Sequence, residues 1–442
     1  MDFATSSDPA VQRQLSRLAA LSPGADILGL ERITRLLDRV GNPHLRLPPV
    51  LHIAGTNGKG STCAFLRAAI EADGSTTHVY SSPHLVRFNE RIRVAGTLIH
   101  DSTLAALLEE VLDAGGDIAA SFFEVTTAAA FLAFARTPAH ACIVEVGLGG
   151  RLDATNVLPE PAVTAIAQLG IDHQSFLGDT LAQIAAEKAG IAKPGVPLVT
   201  MAYPPDIADV VDRYAETVAA PVAAEGRAWA YEVRDDALHY HDAGGEVITP
   251  LPVLAGAHQP ANLALAIAAL RHQRRVPIPD AALSAAAGTA RWPARMQRLS
   301  PGPLTALLPV NAELWLDGGH NANAAAAVSA AAARIAEGRP LHLVLGMLEN
   351  KDAGAMIERF APIAASLTAI PVPGHPHHPP VELTRLASTH GIATVDVASD
   401  PAAALRGIAG RSDPRGTPPV VLILGSLYLA GMALEANDEL PD

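Results

Sequence analysis

The chain has 442 residues, 49% of them hydrophobic and 17% charged, a length that exceeds one ordinary hydrophobic core and predicts two domains. A formal net charge of −13 offers no basic field to phosphates, which argues against nucleic acid as a partner, and no apolar run approaches the length of a membrane span. Cys63 and Cys142 are the only cysteines and have no zinc-ligand spacing, and the first residues carry no export signal, so a reduced cytoplasm is expected.

From about Pro48, short apolar strands alternate with helices. PPVLHIAG reads as a strand, STCAFLRAAIEADG as a helix, THVYSS as a strand and FFEVTTAAAFLAFA as a helix; strands ACIVEVG and AVTAIAQLG, helix TLAQIAAEKAG and strand VPLVTMA follow. Runs of this kind belong to parallel strands buried on both faces and joined by helical crossovers. Between about Arg227 and Pro252 the rhythm shortens to AWAYEVRD, ALHYHDAGG and EVITPLP, which predicts a small antiparallel insertion before a helix over HQPANLALAIAALRHQ. RWPARMQRLSPGPLT then supplies breakers, and the domain boundary is placed there, giving domains 1–294 and 295–442. Strand ELWLDGG, helix NAAAAVSAAAARIAEG, strand LHLVLGM, a helix near AGAMIERFAP, SLTAIPV, a further helix and strand PVVLILGSL predict a smaller doubly wound domain. Within it His375, His377 and His378 lie among prolines, where a solvated loop is a better reading than a metal site.

The run AGTNGKGST sits after an apolar strand and before a helix. Its Gly55, Thr56, Asn57, Gly58, Lys59, Gly60 and Ser61 combine glycines that let backbone amides approach phosphate, one cation, and a hydroxyl at a helix start. Ser61 or Thr62 has the hydroxyl that the magnesium of ATP takes. Gly60 separates Lys59 from Ser61, a departure from the common GxxxxGK[ST] pattern. A glycine-rich turn without a ligand is the plain alternative, but strand, loop, lysine, hydroxyl and helix in this order favour a nucleotide.

Hard ligands for the metal of a bound nucleotide belong at strand ends beside that loop. Ser82 closes THVYSS, Glu145 ends the strand in ACIVEVG, and His173 lies past AVTAIAQLG in GIDHQ. Singly each has an ordinary role as turn cap, ion-pair partner or loop histidine. Together they occupy carboxyl ends of parallel strands, where open α/β sheets bind ligands. Lys188, in AAEKAG, reads from composition alone as a solvated helix lysine.

With AGTNGKGS, YSSPHLVRFNERIRV, EVGLGGRLDATNV, GIDHQSFLG and AAEKAGI in order, and GLERITRLLDRVGNPH upstream, the sequence resembles the folylpolyglutamate synthase and dihydrofolate synthase family of the Mur-ligase superfamily. The resemblance implies an α/β protein: an N-terminal P-loop ATPase domain with a mostly parallel sheet, and a smaller C-terminal Rossmann-like domain. It implies that the glycine loop holds ATP, that Ser82, Glu145 and His173 hold magnesium, and that Lys188 is carbamylated. Phe123, Leu152, Asp153 and Ala154 match the pterin side. Asn262, Arg295 and Asp317 match nucleotide contacts, and Lys59, Lys188 and His320 the catalytic positions, with Asn321 continuing the His320 motif. Gly319 stands where the family usually has alanine, and Met296 where an aromatic is common.

The implied reaction is an ATP-dependent amide ligation. A carboxylate of dihydropteroate or of a folate tail is activated as an acyl phosphate, and the amine of L-glutamate then displaces phosphate. The N-terminal motifs resemble bifunctional bacterial members, so both acceptors are expected, with a monomer as the default state. The rivals are a Mur-type ligase acting on another carboxylate and a nucleotide-dependent switch that makes no product. The first carries a whole domain before its loop, whereas 54 residues precede Gly55 here.

Overall fold

Five consecutive buried residues, Val50–Ala54, form the first strand, β1, a run apolar except for His52, as expected when both faces of a sheet are covered. The computed structural model describes residues 5–21, 28–413 and 416–442. Around β1 lie β2 (Thr77–Tyr80), β3 (Ile92–Val94), β4 (Thr97–Leu98), β5 (Ala141–Glu145), β6 (Val163–Ile166), β7 (Leu198–Thr200) and β8 (Val222–Ala224), in the sheet order β4-β3-β2-β5-β1-β6-β7-β8. All pairings from β2 to β8 are parallel, and β3 and β4 add an antiparallel edge.

Register divides the residues of β1 between two faces. His52 pairs with Val144 and Thr164, and Ile53 pairs with Glu145 and Ala165. Neighbours in register share a face, so His52 looks one way and Glu145 the other. On the His52 side, Val50, Tyr80, Cys142 and Val144 pack with the helices Pro9–Leu21, Glu31–Arg39, Asp101–Gly115 and Phe122–Arg136. Further along the same face, Ala54, Ile166 and Leu198 pack with the helices Leu181–Ala189 and Pro205–Thr217.

The predicted insertion is the antiparallel sheet β9 (Trp229–Arg234), β10 (Ala237–Asp242) and β11 (Gly245–Pro250), ordered β11-β10-β9. A third sheet holds β12 (Gln297–Arg298), β13 (Glu313–Leu316), β14 (Leu341–Leu345), β15 (Ser366–Ala369), β16 (Val395–Val397) and β17 (Val420–Leu424) in the order β12-β13-β17-β14-β15-β16. All of its pairings are parallel except that of β12 with β13.

The chain forms two compact units, one of residues 1–253, 259–291 and 442, the other of 254–258 and 292–441. The boundary expected at 294/295 thus falls at 291/292, and the second unit also takes 254–258, whose Ala255 packs on that unit's core. Several elements were not anticipated: the β3–β4 hairpin, β8, β12, and the helices Asp101–Gly115, Pro205–Thr217 and Asp280–Thr289. Among the described residues no helix is long and apolar enough to cross a membrane.

Candidate functional site

The glycine loop leaves β1 at Gly55 and turns at Gly58 into the helix Lys59–Ala72. Gly58 has φ +83°, and a Cβ there would stand 2.5 Å from Asn262 Oδ1, so glycine is required both for the left-handed turn and for this close approach. Asn262 donates to Gln259 (3.1 Å), and Gln259 donates to Ser61 Oγ (3.3 Å), which ties the helix Gln259–Arg271 to the start of the loop helix. The Thr56 and Asn57 amides bond Gln168 O at 2.8 and 3.2 Å, anchoring the loop on the segment that follows β6.

Two lysines converge on one carbonyl. Lys59 Nζ donates to Gly55 O (3.0 Å) and Thr56 O (3.3 Å), and Lys188 Nζ donates to Gly55 O at 2.9 Å. Lys188 is therefore no solvated surface lysine; it is 4% exposed. Burial first, and then the charge of Lys59, push its ammonium down from the ordinary 10.5 to about 7.

Strands β2, β5, β1 and β6 are parallel neighbours in that order, so Ser82, Glu145, the glycine loop and, after a longer connection, His173 emerge along one end of the sheet. Glu145 is buried and, with burial itself as the larger cause, raises the Cys63 thiol on the loop helix well above its usual range. His173 is exposed and left-handed (φ 52°), at the start of the short helix Gln174–Leu177. Among the described residues no three His, Cys, Asp or Glu side chains form a metal cage. The set named from the sequence contains only two such residues, Glu145 and His173, beside the Ser82 and Ser61 hydroxyls.

The segment 147–157 builds the neighbouring wall. Phe123, at the start of the helix Phe122–Arg136, lies against Gly147, where a Cβ would fall 2.4 Å from the ring. Ser121 and Glu124 start that helix as a capping box, Ser121 N donating to Glu124 and Glu124 N to Ser121. Replacing Gly147 by Ala forces the ring away and is expected to lower stability by about 1–3 kcal/mol; an unchanged melting temperature would contradict so close an approach. Leu152 is partly buried and Ala154 buried. Asp153 is 2% exposed and accepts from Leu148 N (2.8 Å) and Thr155 N (3.0 Å), so its carboxylate clamps its own loop. Burial raises its pKa despite these bonds. The loop is fixed to the end of the helix Leu181–Ala189 by Arg151 N to Glu187 O (2.8 Å) and by Asn156 Nδ2 to Gly190 O (3.0 Å), which places the Lys188 backbone beside Gly150.

In the second unit Asp317, which follows β13, does similar work. Its carboxylate accepts from Met296 N (2.8 Å) and Gly319 N (2.7 Å), holding the turn that presents Arg295. Ala294 and Met296 on either side of Arg295 are both left-handed, with φ of 54° and 42°. Arg295 donates to Ala294 O (2.9 Å), and His320 Nδ1 lies 2.9 Å from Gly318 O. Asn321 caps the helix Ala322–Ala336 through Ala324 N (2.9 Å). His258 was not singled out from the sequence; burial lowers its pKa, with Asp317 opposing and Arg295 assisting, which places it in this group. His52 and Thr155, bonded at 2.9 Å, were also overlooked, because a histidine inside an apolar strand carries no motif.

Residues 306–427 match the family model for the Mur ligase, glutamate ligase domain. The dihydrofolate synthase/folylpolyglutamate synthase of Bacillus subtilis is 33% identical over 425 residues, covering 90% of this chain and 93% of that one. Among solved structures, Escherichia coli FolC in complex with DHPP and ADP aligns with a TM-score of 0.87 at 30% identity over 98% of both chains. A bifunctional folylpolyglutamate synthase/dihydrofolate synthase with Mn, AMPPNP and L-glutamate bound aligns with a TM-score of 0.82 at 29% identity, over 98% of this chain and 99% of that one. The glycine loop, the buried lysine beside it and likeness over nearly the whole length lead to one assignment: the chain belongs to the folylpolyglutamate synthase/dihydrofolate synthase family.

Proposed function

We propose that this protein is an ATP- and magnesium-dependent carboxylate–amine ligase that joins L-glutamate to dihydropteroate and to the glutamate tail of reduced folates. The observation that carries this reading is the meeting of Lys59 and Lys188 at Gly55 O, in a glycine loop opening onto a helix. Relatives that hold ADP, AMPPNP, Mn, DHPP or L-glutamate supply the ligand classes.

In this reading Gly55 to Ser61 cradle the phosphates through backbone amides and the helix N-terminus, and Lys59 swings from the loop carbonyls onto phosphate oxygens. The Ser61 and Ser82 hydroxyls, Glu145 and His173 are hard donors that suit magnesium, with a carbamylated Lys188 as a further anionic group nearby. Bound magnesium supplies charge neutralisation on the phosphates. Phe123 and Leu152 hold the flat pterin, with Asp153 and Ala154 shaping the loop beneath it. Asn262, Arg295 and Asp317 serve as nucleotide contacts, and His320 as a catalytic position, as the family motifs imply. The first unit carries nucleotide and pterin, and the second is the ligase domain. The protein acts as a monomer in the cytoplasm, where its two free, buried cysteines stay reduced.

The test is incubation with ATP, magnesium and L-glutamate plus either dihydropteroate or a reduced folate monoglutamate, following ADP release and product mass. A glutamate-sized gain on both acceptors is expected, and a gain on one alone would assign a single activity. ADP release without any adduct would favour a nucleotide-driven switch.

A further inference from the structure

The strand that delivers the glycine loop also touches the substrate loop through its opposite face. His52 is fully buried in β1, three residues before Gly55, and its Nε2 lies 2.9 Å from Thr155 Oγ1. Thr155 Oγ1 in turn lies 2.5 Å from Asp153 Oδ1, which also accepts Thr155 N, while Asp153 Oδ2 accepts Leu148 N at 2.8 Å. A hydroxyl has one hydrogen. With the Asp153 carboxylate accepting it, Thr155 receives from His52, so His52 carries its hydrogen on Nε2. His52 Nδ1 is then a bare acceptor, buried and with no hydrogen-bond partner among the described residues.

Resting on the ligase reading above, we propose that His52 is a positioning residue. The directed chain His52 Nε2–H to Thr155 O–H to Asp153 fixes the pterin-side loop 147–157 against the strand that carries the nucleotide loop. Three features support the role. The chain is shielded from water, where such bonds are strong and a missing partner is costly. It links groups 103 residues apart in sequence, which local loop geometry cannot do. It also ends on the carboxylate that gathers both ends of the loop. Burial first, and Lys193 second, push the His52 imidazolium down to about 3, so the ring stays neutral and its hydrogen fixed throughout the working pH range. An acid–base role is thereby separated from a positioning one, since only the former would move the pH profile.

The experiment compares His52→Phe, His52→Gln, Thr155→Val and the double variant His52→Phe/Thr155→Val in steady-state ligation, varying acceptor and ATP separately. His52→Phe and Thr155→Val should each raise the acceptor KM about tenfold and leave the ATP KM within about twofold, as loss of one buried hydrogen bond predicts. The double variant should be no worse than either single one, because both break the same chain. His52→Gln, whose amide can reach the same oxygen, should restore most of the loss, and no variant should shift the pH profile. Long-range proton–nitrogen correlation spectra of the wild type should place the His52 hydrogen on Nε2. An unchanged acceptor KM in folded His52→Phe, multiplying effects in the double variant, or a hydrogen on Nδ1 would overturn the role. If His52→Phe fails to fold, Thr155→Val and the spectrum decide. A wild type that ligates normally beside unaffected variants overturns only the positioning role, whereas a wild type that never ligates overturns the ligase reading beneath it.

Discussion

Lys59→Ala should reduce glutamate-dependent ADP release by about two to three orders of magnitude, the usual loss when one preorganised charge is removed from a site of developing negative charge. The side chain is half-buried, and among the described residues its hydrogen bonds go to its own loop, Gly55 O and Thr56 O, so it is not expected to hold a distant element in place. The variant should therefore fold with nearly the wild-type melting temperature, and the loss should fall on turnover. Lys59→Arg should rescue little: a planar guanidinium is bulkier than an ammonium in a turn where Gly58 already approaches Asn262 at contact distance. Turnover within tenfold of wild type in Lys59→Ala would remove the loop from the chemistry. Equal loss accompanied by a large fall in melting temperature would make Lys59 a structural residue instead.

The elements most legible in the sequence were those whose pattern has a single physical reading. Val50–Ala54, apolar except for His52, and Val420–Leu424, apolar throughout, are wholly buried strands. The hairpin of Ile92–Val94 and Thr97–Leu98 was hidden because its turn is Ala95–Gly96, both left-handed at φ 48° and 94°, with no Asn-Gly or Asp-Gly to announce it. Asp101–Gly115 did carry a helical stripe, Leu104, Leu107, Leu108, Val111 and Leu112 all being buried, but it sits between two more obvious motifs. That 254–258, inside an otherwise first-unit stretch, belong to the second unit is not legible in the sequence, since membership there depends on Ala255 packing on a core built from residues beyond 290.

Motif position and side-chain duty are separate matters. Asp153 and Asp317 stand in motifs that resemblance ties to ligands, yet both carboxylates accept backbone amides of their own loops, from Leu148 and Thr155 in one unit and from Met296 and Gly319 in the other. A carboxylate so engaged shapes its own turn, whatever else it meets. No spacing rule distinguishes the two duties, because both place an acidic residue in a short loop at the end of a strand. Burial decides: Asp153 is 2% and Asp317 3% exposed.

Lys188 reverses the expectation from composition most completely, and it leads to a pH prediction with a definite sign. Its folded-state pKa, about 7, lies below its ordinary 10.5, so between these values the unfolded chain binds a proton that the folded chain does not. Unfolding free energy should accordingly rise as pH increases from about 7 to about 10.5, by at most ~5 kcal/mol from this group. Below pH 7 both states are protonated and the gain is absent. Lys188→Met removes the titration, so denaturant titrations should give a wild-type-minus-variant difference that climbs with pH across this window; a flat difference would mean that Lys188 is not buried as an amine. The same lowered pKa leaves about half the side chain as neutral amine near pH 7, the form that attacks carbon dioxide, and this favours carbamylation. Labelled bicarbonate should therefore yield a protein-bound carbamate signal that Lys188→Met lacks, and Lys188→Met should lose ligation by about two orders of magnitude or more. A fully active Lys188→Met protein would show that the ammonium seen at Gly55 O is a structural bond, with magnesium held by oxygen and imidazole donors alone.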